Sequence, residues 1–146
     1  MPRSVLLVSG PNLGLLGQRE PHVYGTATLA DHVRAAGDEA AALGLALVHE
    51  QTERASRMVE MVHAARGVHD AIVVNPGAFT HYAWSIHDAL AAFDGVVVEL
   101  HLSNPANREA WRHTSVVSPV ADGVVAGFGA AGYRLAVRAV AMLLEA

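Results

Sequence analysis

The chain has 146 residues, 52% of them hydrophobic and 16% charged, with a formal net charge of −4. A chain of that length buries roughly 70% of the surface its unfolded form exposes, enough for a single domain over 1–146, and this composition excludes a disordered chain. The mildly acidic balance lacks the footprint of a nucleic-acid or anionic-membrane binder, and Arg134, Arg138 and Glu145 interrupt the last apolar stretch well short of a membrane span.

Two absences narrow the chemistry. All ten basic residues are arginine, so no lysine can form an imine with a carbonyl substrate or serve a phosphate-binding loop. There is no cysteine, hence no disulfide framework and no thiol nucleophile. Met1-Pro2-Arg3-Ser4 runs straight into a strand-like segment without the apolar core of a secretory signal. The expectation is a cytoplasmic protein.

In chain order, Val5 to Val8 reads as a strand and Thr28 to Leu43 as a helix, with Thr28 and Asp31 spaced as a capping box and Gly44 at the C-cap. Leu45 to Val48 is followed by a helix over Arg54 to Ala65, and Ala71 to Val74 by one over Tyr82 to Phe93. Val96 to Leu102, a short segment near Arg108, Val124 to Phe128 and a last helix from Ala131 to Leu144 complete the pattern. The strand candidates are short, rich in valine and apolar on both faces, as in a parallel sheet covered on each side. The expected fold is α/β: a flavodoxin-like, doubly wound sheet of about five parallel strands with helices on both faces.

Ligands of such sheets bind beyond the carboxyl ends of the strands, and the polar residues gather there. The first strand leads into Gly10-Pro11-Asn12-Leu13-Gly14 and a long loop carrying Arg19, Glu20 and Tyr24, long enough to act as a lid. Gly10, Gly14 and Gly17 do not form the G-x-G-x-x-G pattern of a dinucleotide loop. Asn12 could aim its amide at a ligand or close a turn. Tyr24 becomes a useful base only where a guanidinium such as that of Arg19 stabilises its phenolate; otherwise the two are a surface arginine and a half-buried aromatic.

Glu99 and His101, two apart on a strand, point to one face. A carboxylate there can fix the imidazole tautomer and make His101 a general acid, or the two can be a satisfied polar pair. No other cluster has metal-ligand spacing.

The blocks GPNLGLLGQREPHVYG at Gly10–Gly25, NPGAFTH at Asn75–His81, IHDAL at Ile86–Leu90, ELHLSN at Glu99–Asn104, REAWRHTS at Arg108–Ser115 and SPVADGVVAGFGAAGY at Ser118–Tyr133 stand in fixed order over nearly the whole chain. In that combination the sequence resembles the type II 3-dehydroquinate dehydratases. The resemblance implies a hydro-lyase, without metal or cofactor, that converts 3-dehydroquinate to 3-dehydroshikimate through an enolate, in the shikimate route to chorismate and aromatic amino acids or in quinate breakdown. It implies Tyr24 as base, Arg19 as its activating neighbour, His101 as acid, Glu99 as its orienter, and Asn12 holding a water against the enolate oxygen. Asn75, His81 and Arg112 would bind substrate hydroxyls, and the backbone at Leu102 and Ser103 the carboxylate. Asp88 would reach into a neighbouring subunit of a dodecamer built as a tetramer of trimers, and Arg108 would help close the lid.

The chain departs from the family pattern at Gly14, usually asparagine, and at Gln51 to Met58, where the pattern reads close to Q-S-N-H-E-G-E-L. His87 and Phe79 replace a frequent arginine and tyrosine. These changes bear on assembly more than on reaction type. A pure binding homologue would have no need of both an acid and a base, and a flavodoxin-like signalling domain would need an acidic cluster after the first strand and a lysine near the last.

Overall fold

A computed structural model describes residues 2–146. Its centre is one five-stranded parallel sheet in the order β2-β1-β3-β4-β5, with β1 at Ser4–Ser9, β2 at Ala46–Gln51, β3 at Ala71–Asn75, β4 at Val96–His101 and β5 at Gly123–Ala126. This is the flavodoxin-like strand order. Helix α1 is the short Pro21–Tyr24, α2 is Leu29–Ala42, α3 Ala55–Ala65, α4 Trp84–Ala91 and α5 Gly132–Glu145.

Alternation along each central strand divides the core in two. Leu6, Val8, Ile72, Val74 and Val97 face Met58, Val62, Ile86 and Leu90 of α3 and α4. Val5, Leu7, Val73, Val98 and Leu100 face Ala36, Ala40, Tyr133, Val137 and Val140 of α2 and α5. All these side chains are at most 2% exposed, which is why β1 and β3 read as unbroken apolar runs.

Three expected details differ. β2 is not apolar and covered on both faces: as an edge strand it alternates exposed and half-buried positions, and Val48 is 47% exposed. The helix expected from Tyr82 starts at Trp84, because Gly77–His81 forms a 3-10 turn and Tyr82 and Ala83 hold non-helical dihedrals. β5 ends at Ala126, where Gly127 turns the chain at φ +90°.

The Thr28 side chain accepts the Asp31 N–H at 3.1 Å, and Asp31 accepts the Thr28 N–H at 3.0 Å. A capping box thus starts α2 at the expected place, directly after the loop that carries Tyr24. Thr28→Ala is expected to cost about 1 kcal/mol, read as a lower denaturant midpoint at unchanged slope; an unmoved midpoint would count against the cap.

Candidate active site

The carboxyl ends of β1, β3 and β4 lie side by side, with Ser9 paired to Asn75 and Val74 to Glu99. Gly10 presses the loop after β1 onto the loop after β3: its N–H donates to the Asn75 carbonyl at 2.8 Å, and a Cβ there would sit 2.7 Å from the Pro76 oxygen. Only glycine fits so close an approach. Asn12 then takes a left-handed conformation, φ 66°, and Leu13 and Leu16 drop into the core to anchor the loop.

The altered connection after β2 reaches this turn. The Glu53 carboxylate accepts the Asn12 N–H at 2.9 Å, and the Gln51 amide bridges Glu53 at 2.9 Å and the Gly10 carbonyl at 3.0 Å. A Cβ at Gly14 would meet nothing within 4 Å. The turn holding Asn12 is therefore secured from β2 whatever stands at position 14.

Beyond these loops opens a cavity of about 270 Å³. Every site residue named from the sequence lines it except Glu99, which lies behind His101, and Asp88, which is exposed on α4. Its border carries Arg19, Arg108 and Arg112, so it suits a small anionic ligand.

In the loop after β1, α1 presents Tyr24 to two cations. The Tyr24 hydroxyl accepts from Arg19 at 3.3 Å and from Arg108 at 2.9 Å, and the guanidinium carbons lie 4.5 and 5.1 Å from the ring centroid. Two positive donors on one oxygen stabilise negative charge developing there. Arg108 also donates to Ser103 Oγ at 3.2 Å. The family resemblance implies for Arg108 only a part in lid closure, yet it makes the shorter contact to Tyr24. Its partner lies 84 residues away in the chain, and no local spacing could have joined them.

At the end of β4, Glu99 is 1% exposed and lies 2.6 Å from His101 Nε2. Thr80 donates to the same carboxylate oxygen at 2.7 Å and Ser115 at 2.9 Å, while Ser118 donates to the other. Burial pushes the Glu99 carboxyl up, but hydrogen bonds from His101, Ser118 and Thr80 and the His101 charge outweigh it and bring it to about 2. The ionised carboxylate fixes the Nε2 proton of His101, leaving Nδ1 to exchange a proton with a ligand.

In the fold Glu99 is ionised down to about pH 2, whereas unfolded it protonates near 4.5. That difference contributes about 3 kcal/mol of stability above pH 4.5, lost as the pH falls toward 2. In acid titrations the wild type should lose stability more steeply across this window than Glu99→Gln; parallel curves would contradict the assignment.

Two groups have fixed polarity toward the cavity. His81 donates from Nδ1 to the Thr114 carbonyl at 2.7 Å, so Nε2 is left as an acceptor, and burial pushes this imidazole below its usual range. Asn75 donates to the Tyr133 hydroxyl at 3.2 Å while its oxygen accepts the Gly77 N–H at 3.3 Å. Arg112 is held by Glu109 and lies 4.0 Å over the Trp111 ring. Leu102 and Ser103 border the cavity where β4 ends. Among the described residues no three His, Asp or Glu side chains converge to hold a metal ion.

A family profile described as dehydroquinase class II matches residues 3–141. The chain is 49% identical over 142 residues to catabolic 3-dehydroquinase 1 of Aspergillus terreus, covering 97% of this chain and 93% of that one. It is 48% identical over 146 residues to 3-dehydroquinate dehydratase 2 of Pseudomonas aeruginosa, covering 100% and 99%. The structure superposes on the type II dehydroquinase of Propionibacterium acnes with a TM-score of 0.92 at 41% identity, over 97% of this chain and 98% of the other.

Proposed function

Since this chain belongs to the dehydroquinase class II family, its activity is that of a 3-dehydroquinate dehydratase, a hydro-lyase, and we propose that the cavity at the ends of β1, β3 and β4 performs the reaction with Tyr24 as base and His101 as acid. The observation that carries this assignment is one cavity lined by both a doubly cation-bonded tyrosine and a carboxylate-oriented histidine.

In this mechanism Tyr24 takes the C2 proton, and the C–H electron pair becomes the π bond of an enolate. Arg19 and Arg108 stabilise the phenolate that acts, and Asn12 holds a water against the enolate oxygen. The enolate then collapses, C1–O breaks, and the hydroxyl leaves as water with the proton from His101. Glu99 stabilises the imidazolium that delivers it. Asn75, His81 and Arg112 bind substrate hydroxyls, and the backbone N–H groups at Leu102 and Ser103 take the carboxylate. With no lysine in the chain, a lysine imine has no part in the route.

The assembly proposed is a dodecamer, a tetramer of trimers, in which Asp88 reaches a neighbour's cavity. In its support, Asp88 is exposed on α4 one turn after Trp84, and Trp84 and the preceding Tyr82 are each 61% exposed, apolar surface suited to contact between subunits. No helix among the described residues is long and apolar enough to cross a membrane; a cytoplasmic setting is proposed, supported by the absence of cysteine. The relatives include catabolic fungal enzymes and a bacterial dehydratase at nearly equal identity, so the same chemistry suits a biosynthetic or a quinate-degrading role.

The test is to mix purified protein with 3-dehydroquinate and follow the ultraviolet absorbance of the conjugated enone. Steady product formation is expected, and folded protein that forms none would overturn the proposal.

A further inference from the structure

Behind Asn75 a file of polar groups crosses from the cavity to the edge of the sheet. Asn75 Nδ2 lies 3.2 Å from the Tyr133 hydroxyl, that hydroxyl 3.1 Å from Ser9 Oγ, and Ser9 Oγ 3.0 Å from His49 Nε2. Ser9, Asn75 and Tyr133 are at most 2% exposed, while His49 is half-buried on β2 beside a depression bordered by Leu29, Val33 and Arg34. The proposed chemistry uses none of Ser9, His49 or Tyr133.

Donor inventory fixes the sense of every bond in this file. The Gly77 N–H needs an acceptor, so the amide oxygen of Asn75 faces Gly77 and the nitrogen faces Tyr133. An amide nitrogen only donates. Tyr133 therefore accepts from Asn75 and sends its own proton to Ser9, and Ser9 sends its proton to His49 Nε2. That nitrogen must be the bare one of a neutral imidazole carrying its hydrogen on Nδ1.

We infer that Ser9, Tyr133 and His49 are positioning residues for substrate binding, a one-way hydrogen-bond relay that holds an Asn75 N–H toward the cavity and runs in this sense only while His49 is neutral. The inference rests on the dehydratase reading, through which affinity is measured. Protonated His49 turns Nε2 into a donor to Ser9 Oγ. Ser9 then accepts from both His49 and Tyr133 and its own buried proton has no acceptor in the file, or it gives that proton to Tyr133 and the Tyr133 O–H has none unless the Asn75 amide turns over, which takes the oxygen away from Gly77.

The charged and titratable groups around His49 are Glu50 next to it on β2, whose charge favours protonation, Arg34 from α2 across the depression, and on the buried side Tyr133 with His32 stacked on its ring at 5.1 Å. Burial outweighs Glu50 and pushes His49 below its usual range, and burial does the same to His32, with Asp31 opposing. The relay is thus set for binding at neutral pH and is released on acidification.

Two measurements test it. In nitrogen-15 NMR of histidine-labelled protein, with the His49 signal assigned by its loss in His49→Gln, His49 is expected at neutral pH as the Nδ1–H tautomer; an Nε2–H tautomer would overturn the relay. In turnover assays across pH, KM of the wild type is expected to rise severalfold on acidification. Ser9→Ala, which cuts the file between Tyr133 and His49, should shrink that rise to the part that belongs to His81, with kcat little changed, and Tyr133→Phe should raise KM about tenfold at every pH. Superimposable KM profiles for wild type and Ser9→Ala would sink the inference, whether or not Tyr133→Phe folds. A wild type without turnover would remove the dehydratase reading alone, and the tautomer would still decide the relay.

Discussion

Tyr24→Phe is expected to lower kcat by at least about two orders of magnitude, the usual worth of a positioned base, with KM changed much less. Phenylalanine keeps the ring and therefore the stacking of Arg19 and Arg108, whose guanidinium carbons lie 4.5 and 5.1 Å from the ring centroid. It removes only the oxygen that accepts from both cations. Because Tyr24 is half-buried on the short α1, the melting temperature should hardly move. A variant that keeps its melting temperature and more than about a tenth of wild-type kcat would show that another group takes the proton.

His101→Ala is expected to cause a loss of similar size, about 10²-fold or more in kcat, by removing the acid that serves the departing hydroxyl. The fold should survive it, because Glu99 keeps Thr80, Ser115 and Ser118 as hydrogen-bond donors. Glu99→Gln should cost less than His101→Ala, since glutamine can still accept a hydrogen bond from the imidazole while losing the charge that stabilises its protonated form. Steady-state kinetics of the pair check this order; a larger loss in Glu99→Gln would place the decisive proton on the carboxyl instead.

How much of this was legible from the chain depended on distance along it. Glu99 and His101 share a strand, and the two-residue period alone places them on one face. Arg19 and Tyr24 share a loop, so their meeting was a short step, and the capping box and Gly44 came from local spacing alone. Thr80, Ser115 and Ser118 converge on Glu99 from 3-10 turns and irregular segments, where no periodicity marks a side chain's direction. The same holds for Arg108 on Tyr24 and for Glu53 under Asn12, which join segments through the order of the strands. β2 looked as apolar as its neighbours because an edge is created by which strands pair, not by the strand's own residues. The roles of Asn12, Asn75, His81, Asp88 and Arg112 rested on the family resemblance, since single polar residues at strand ends carry no signature of their own.

The division of labour between Tyr24 and His101 is tested most directly by exchange of the C2 hydrogen of 3-dehydroquinate in deuterated water, followed by proton NMR with each variant. If Tyr24 forms the enolate before His101 releases the hydroxyl, His101→Ala exchanges the C2 hydrogen while making little product, and Tyr24→Phe does neither. Exchange in Tyr24→Phe at the rate of His101→Ala would contradict Tyr24 as the base.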